Sequence, residues 1–279
     1  MTAPPLAVQL YTFRDALAED APAAIARVAE MGFVGVELVC SASMRDEISR
    51  AAPAWTLDAV GMRGLLDEHG LVVCGAHTGL PEGAKATTLF DEQEQLRNDL
   101  LIVPALSVLA DARNGDLDEP DALRRIADRF NEAAALAAER GMRIGYHNHF
   151  WEWTSHPDGR LAYDVFWDAL DPSIVAEVDL YWAQVGGQDP ARVVAQLGQR
   201  AQLVHVKDGP LVRDAPNTPV GAGKLDTAGV LAASVDACWH VVELDASTID
   251  PFDAVAQSVD WLVGRGLSSC RRDGELVTA

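Results

Sequence analysis

Four of the seven histidines in this sequence, His77, His147, His149 and His205, stand at or just past the ends of short apolar runs, and so do Glu37, Asp179, Lys207 and Glu243. Ionisable side chains in such places are costly unless they are paired or bind a metal. Imidazoles and carboxylates are the donors that Mn²⁺, Zn²⁺, Co²⁺ or Fe²⁺ accept. Asp179, His205 and Glu243, at the ends of consecutive runs, therefore form a candidate ligand set with positions left open for a substrate. In Tyr146-His147-Asn148-His149 the histidines are two apart, so an extended strand turns both to the same face. Such a pair can supply one metal ligand and one general base, since histidine titrates near the working pH. The competing reading of each side chain taken singly is a hydrogen-bonded core or rim residue. His69 precedes a helix-ending glycine, His156 lies in a polar loop and His240 begins a run rather than ending one, so none of these joins the set.

Tyr11, Phe13, Tyr146, Phe150, Trp151, Trp153, Tyr181 and Trp182 fall near the same run ends, although aromatic residues make up only 6% of the chain. This clustering suits an apolar-walled pocket, and Trp182 is the candidate for stacking on a sugar-like ring. Core packing accounts for some of the others equally well.

The elements that must position these groups repeat one grammar: an amphipathic stretch, a glycine, a short apolar run, a polar loop. The runs are Leu6 to Leu10, Val34 to Val39, Leu71 to Ala76, Leu101 to Pro104, Arg143 to Asn148, Ile174 to Asp179, Leu203 to Val206 and Val241 to Leu244. Short and rich in Val, Ile and Leu, they suit parallel strands buried on both faces. The clearest helix is Asp118 to Arg140, with Asp118 as N-cap, Pro120 in the first turn and Gly141 past its end; the last is Pro251 to Arg265. Eight strand and helix pairs in roughly 250 residues predict an α/β fold, a closed (β/α)8 TIM barrel forming a single domain over 1–279, with chemistry at the C-terminal ends of its strands. Neither GxxxxGK[ST] nor GxGxxG occurs, which argues against a nucleotide-binding open sheet.

The 279 residues include 22 Lys plus Arg against 42 Asp plus Glu, a formal charge of −20, and such a field repels nucleic acid and anionic membrane. The start, Met1-Thr-Ala-Pro-Pro-Leu-Ala-Val-Gln, has no basic region followed by an apolar one, and a cytoplasmic location is the expectation. Cys40, Cys74, Cys238 and Cys270 form no Cys-x-x-Cys and are read as buried thiols.

In order and spacing, Val8-Gln-Leu-Tyr-Thr-Phe-Arg-Asp15, Gly35-Val-Glu-Leu38, Gly145-Tyr-His-Asn-His149 with Glu152, Glu177-Val-Asp-Leu-Tyr-Trp182, Val204-His-Val-Lys-Asp208, Pro219-Val-Gly-Ala-Gly223 and Val242-Glu-Leu-Asp245 resemble the sugar phosphate isomerase/epimerase group of xylose isomerase-like TIM barrels. The group is also similar to apurinic DNA-repair endonucleases and inositol-catabolism dehydratases. The resemblance implies a divalent metal ion (Mn, Co, Zn, Mg or Fe) held by one residue from each of strands five to eight. Asp179, His205 and Glu243 match three of these positions, and His147-Asn148 stands where the family usually has Glu-Asn. His147 is thus assigned to the metal, with His149 or Glu152 next in line. Trp182 stands where relatives often carry His.

The expected chemistry is proton abstraction beside a carbonyl of a sugar, keto-sugar or inosose. His149, Glu152 and Glu243 would move protons, Lys207 would bind an oxygen or the enediolate, and Gln9, Arg14, Glu37, His77 and Trp182 would contact substrate. Reprotonation gives isomerisation or epimerisation; loss of a β-substituent gives dehydration or cleavage of a 3-keto-glycoside. DNA cleavage is disfavoured by the charge and by Trp182. A non-catalytic sugar-binding barrel is the reading from another class. The expected partner is a small, unphosphorylated sugar or polyol, with no nucleic acid and no membrane, and with a homodimer as the expected assembly.

Overall fold

A computed structural model describes residues 3–40, 57–272 and 274–278. The remaining positions of the expected 1–279 domain lie outside the described residues. Eight parallel strands close into one barrel in sequence order: β1 (Leu6–Gln9), β2 (Gly35–Val39), β3 (Val72–His77), β4 (Leu100–Val103), β5 (Arg143–His147), β6 (Val175–Asp179), β7 (Ala201–Val206) and β8 (Trp239–Val242). Closure is made by β8 on β1, where Val8 pairs with Val242. Each strand is followed by at least one helix before the next strand, as the repeating grammar predicts.

The apolar runs become strands because both of their faces are covered. Outward residues such as Val8, Val36, Val178, Val204 and Val242 are completely buried beneath the helices. Inside, the floor of the barrel is a separate apolar cluster of Ala7, Cys74, Leu100, Ile102, Val175, Leu203 and Val241, against which Trp239 packs. Gly35 makes room for that indole: a Cβ there would come within 3.1 Å of the Trp239 ring.

The longest amphipathic segment is the helix Pro120–Ala138, with Leu123, Ile126, Phe130, Ala133, Ala134 and Ala137 on its buried face. Its start differs from the sequence reading. Glu119 occupies the cap position, Asp118 ends a short 3-10 turn, and the Asp118 carboxylate accepts from the Thr154 hydroxyl instead of capping. The last helix, Pro251–Gly264, is capped by Asp250, which accepts from the backbone N–H groups of Phe252 and Asp253. Cys40, Cys74 and Cys270 are buried thiols as expected, whereas Cys238 is exposed because it lies in the turn ahead of β8. Among the described residues no helix is long and apolar enough to cross a membrane.

Candidate functional site

Alternation along the strands decides which side chains enter the barrel. Above the apolar floor, the next inward residues are Gln9 on β1, Glu37 on β2, His77 on β3, His147 on β5, Glu177 on β6 and His205 on β7. Asp179, Lys207 and Glu243 follow at the C-terminal ends of β6, β7 and β8. The register places them side by side: Gln9 opposite Glu37, His147 opposite Glu177, Asp179 opposite His205. Apart from His77 and Glu243, which are 7% and 5% exposed, these residues are at most 1% exposed.

Two groups of donors result. In the upper one, single ligand atoms of His147, Asp179, His205 and Glu243 all lie within 4.8 Å of one another. His205 Nδ1 is 2.7 Å from Glu243 Oε2, and His147 Nε2 is 3.8 Å from Asp179 Oδ2. Asn148 fixes the β6 end by donating to the Asp179 carbonyl and accepting from the Asp179 N–H. Asp179 Oδ1 caps the helix Leu180–Val185 through the Trp182 N–H, while its Oδ2 faces the Lys207 ammonium. Lys207 Nζ lies 3.0 Å from Asp179, 2.7 Å from Glu243 and 2.9 Å from Asp245.

The lower group is His77, His147, Glu177 and His205, with the same mutual reach. Glu37 joins it: His205 Nε2 is 2.7 Å from Glu37 Oε2, which also accepts from Gln9 Nε2 at 2.6 Å.

Burial and charge set the protonation states. Burial, reinforced by Glu177, pushes Glu37 up to about 7. Burial pushes Asp179 up to about 6 against the pull of Lys207. Burial, then the charge of His205, pushes His147 down to about 3, which keeps it neutral. His205 is held well above its ordinary range: burial opposes its charge, but Glu177, Glu37 and Glu243 outweigh burial. The same contest, won by Asp179, Asp245 and Glu243, keeps Lys207 charged. Burial also raises Glu152 to about 7.

At the mouth, the His149 ring stacks on Trp151 with centroids 4.3 Å apart and lies 6.5 Å from Trp182. Burial lowers His149 well below its usual value, and its Nδ1 has no hydrogen-bond partner. Glu152 sits behind the mouth, accepting from the Tyr146 hydroxyl and the His149 N–H, so it holds the β5 extension in place. Arg14 lies apart from both groups: it donates to the Tyr11 carbonyl and its guanidinium is 4.4 Å from the Tyr11 ring. Of the clustered aromatics, Tyr146 and Tyr181 belong wholly to the core, whereas Tyr11, Phe150 and Trp151 are half-buried.

The model of the xylose isomerase-like TIM barrel family matches residues 25–264. The chain belongs to that family. Solved structures similar to this family member include a sugar phosphate isomerase/epimerase from Parabacteroides distasonis, 21% identical over 94% of each chain with a TM-score of 0.73. The probable 3-DHS dehydratase AsbF from Bacillus anthracis is 13% identical over 92% of this chain and 98% of its own, at 0.69. A D-allulose 3-epimerase from Methylomonas sp. is 16% identical over 95% of this chain and 99% of its own, at 0.61. No curated protein matches the sequence.

Within this xylose isomerase-like barrel, the four residues expected to bind metal converge, and Lys207 joins them. Beneath that set, Glu37 accepts from Gln9 Nε2 and pairs with His205 Nε2, and His77 Nε2 pairs with Glu177. Glu177 is the residue that sequence reasoning passed over. It stands two before Asp179, and strand alternation is the signal that puts both carboxylates inside the barrel.

Proposed function

We propose that the protein is a divalent-cation-dependent sugar isomerase or epimerase that removes a proton beside a carbonyl of an unphosphorylated keto-sugar or inosose. The observation that carries this is the convergence of His147, Asp179, His205 and Glu243 from four consecutive strands at the C-terminal mouth of the barrel. These residues fit a cation. Their donors are imidazole and carboxylate, and His147 is neutral. Asp179, His205 and Glu243 would hold the ion, with His147 beside them, and when bound it would supply Lewis-acid polarisation of a substrate carbonyl and neighbouring hydroxyl.

The chain's own groups then divide the work. Glu243, kept ionised by Lys207 and His205 against the effect of burial, accepts the substrate proton. The Lys207 ammonium, fixed between Asp179 and Glu243, donates to the developing enediolate oxygen as a preorganised charge. His149, neutral and with a free ring nitrogen, exchanges a proton at the mouth, and Glu152 positions it through the His149 N–H. Trp151 and Trp182 lie beside its ring. Asp179, Glu243 and Asp245 surround the Lys207 ammonium, and Glu37 and Glu177 lie among the histidines, a set of acids that disfavours an anionic phosphate on the substrate. β-Elimination is the second reading. It is favoured by the charged Lys207 beside Glu243, an acid next to a base, and similarity to a probable dehydratase agrees with it.

Deuterium exchange into keto-sugars and inososes, measured beside elemental analysis, tests the reading. Cation-dependent exchange that Asp179→Asn and Glu243→Gln abolish is the expected result. Sugar binding without exchange under any metal loading would favour the non-catalytic barrel.

A further inference from the structure

The Lys207 ammonium faces three carboxylates at once. Its Nζ lies 2.7 Å from Glu243 Oε2, 3.0 Å from Asp179 Oδ2, and 2.9 and 3.1 Å from the two oxygens of Asp245. An ammonium has three N–H donors, so three acids take up its whole capacity. A lysine bonded in this way has no donor left for a substrate oxygen.

The three acids differ in what else they can do. Asp179 and Glu243 belong to the group whose ligand atoms lie within 4.8 Å of one another, and Asp245 does not. Asp179 Oδ1 accepts from the Trp182 N–H, which leaves Oδ2, the oxygen that faces Lys207, for a cation. Glu243 Oε2 is shared between Lys207 and His205 Nδ1. Lys207 and a cation held by Asp179 and Glu243 therefore draw on the same oxygens, and two positive charges in one buried place repel each other.

Asp245 is anchored without those ligands. Its backbone N–H donates to Asn217 Oδ1 at 2.9 Å, and Asn217 Nδ2 donates to the Asp208 carbonyl at 3.3 Å. The buried Asn217 amide thus ties the residue after Lys207 to the residue that carries the third carboxylate. The Asp208 carboxylate secures the rest of that segment by accepting from the N–H groups of Gly209, Gly221, Gly223 and Leu225. The chain past β7 and the chain past β8 are fixed to each other outside the donor set, so Asp245 keeps its place beside Nζ independently of Asp179 and Glu243.

We infer that Asp245 is a positioning residue that takes over Lys207 when a cation engages Asp179 and Glu243. Lys207 gives up those two oxygens, keeps Asp245 as its counter-ion, and turns its freed N–H donors to the substrate. The inference rests on the cation reading of the site and deepens it. Without Asp245 the buried ammonium would have no anion of its own beside a divalent ion, and it would hold on to Asp179 and Glu243 in competition with that ion.

Mn²⁺ binding to the full-length protein is titrated in the wild type, Asp245→Asn, Lys207→Met and the double variant, and the wild type is crystallised with Mn²⁺. Asp245→Asn should weaken Mn²⁺ binding about tenfold when Lys207 is present and by much less in the Lys207→Met background, a coupling of the size that contacting residues show. No loss, or an equal loss in both backgrounds, overturns the inference, since Asp245 would then act on the ion by its charge alone or not at all. In the Mn²⁺-loaded crystal Nζ should stay within hydrogen-bond distance of Asp245 and leave Asp179 Oδ2. Nζ still on Asp179 Oδ2, or parted from Asp245, overturns the inference while the cation reading stands, and this result does not depend on any variant folding. No Mn²⁺ bound by the wild type overturns the cation reading and the inference together.

Discussion

The two halves of the barrel interior are built by the same eight strands and have opposite chemistry. The floor holds Ala7, Leu100, Ile102, Val175, Leu203 and Val241 packed against Trp239, and it is stabilised by burial of apolar surface. Two residues further along the same strands stand Gln9, Glu177, His205 and Glu243, where burial alone is unfavourable and each group depends on a charged or hydrogen-bonding neighbour. The floor stabilises the fold, and that stability permits the upper half to hold groups whose burial is costly.

Lys207→Met attacks the upper half where the imbalance is greatest. It leaves Asp179, Glu243 and Asp245 without their shared cation, and in metal-free protein it should destabilise by roughly 3–5 kcal/mol. Added Mn²⁺ or Zn²⁺ should restore more melting temperature to this variant than to the wild type, by supplying a replacement charge. Equal metal effects on both proteins would contradict the electrostatic account of the upper half.

Leu203→Ala tests the floor. It should cost roughly 2–4 kcal/mol in denaturant unfolding, independent of metal and of pH, because a buried branched side chain is replaced by a cavity. A change in metal content in this variant would show that the halves are not separable.

Glu152→Gln gives the smallest and most conditional effect. Burial raises Glu152 from 4.5 to about 7 in the fold, so the carboxyl contributes stability below pH 4.5 and loses it as pH rises to 7. The neutral amide escapes that loss. The variant should therefore gain on the wild type by up to roughly 3 kcal/mol above pH 7 and match it near pH 4.5, as measured by chemical denaturation across pH.

Legibility followed the periodicity of each feature. All eight apolar runs became strands to within two residues, since a short Val, Ile and Leu run between amphipathic stretches has few other places to go. Convergence of His147, Asp179, His205 and Glu243 was readable because each ends a consecutive strand. Depth inside the barrel was harder to read. Gln9, Glu37 and His77 look like substrate contacts from their positions, and the register gives them buried partners there: Gln9 on Glu37, Glu37 on His205 and His77 on Glu177. Asp118 looks like a cap in the sequence, but the fold brings Thr154 within its reach.

The order of apolar runs and helices, with polar residues at the run ends, determined the barrel and the end of it at which ionisable residues gather, because those depend on local periodicity and on the one-sided geometry of parallel strand connections. Only the tertiary structure decided which nitrogen of His147 and His205 faces which carboxylate, that Glu177 shares their site, and that Lys207 lies among three acids. Those outcomes depend on register and stagger between strands as many as 168 residues apart, as in the contact of Glu37 with His205, and no local pattern in the chain encodes them.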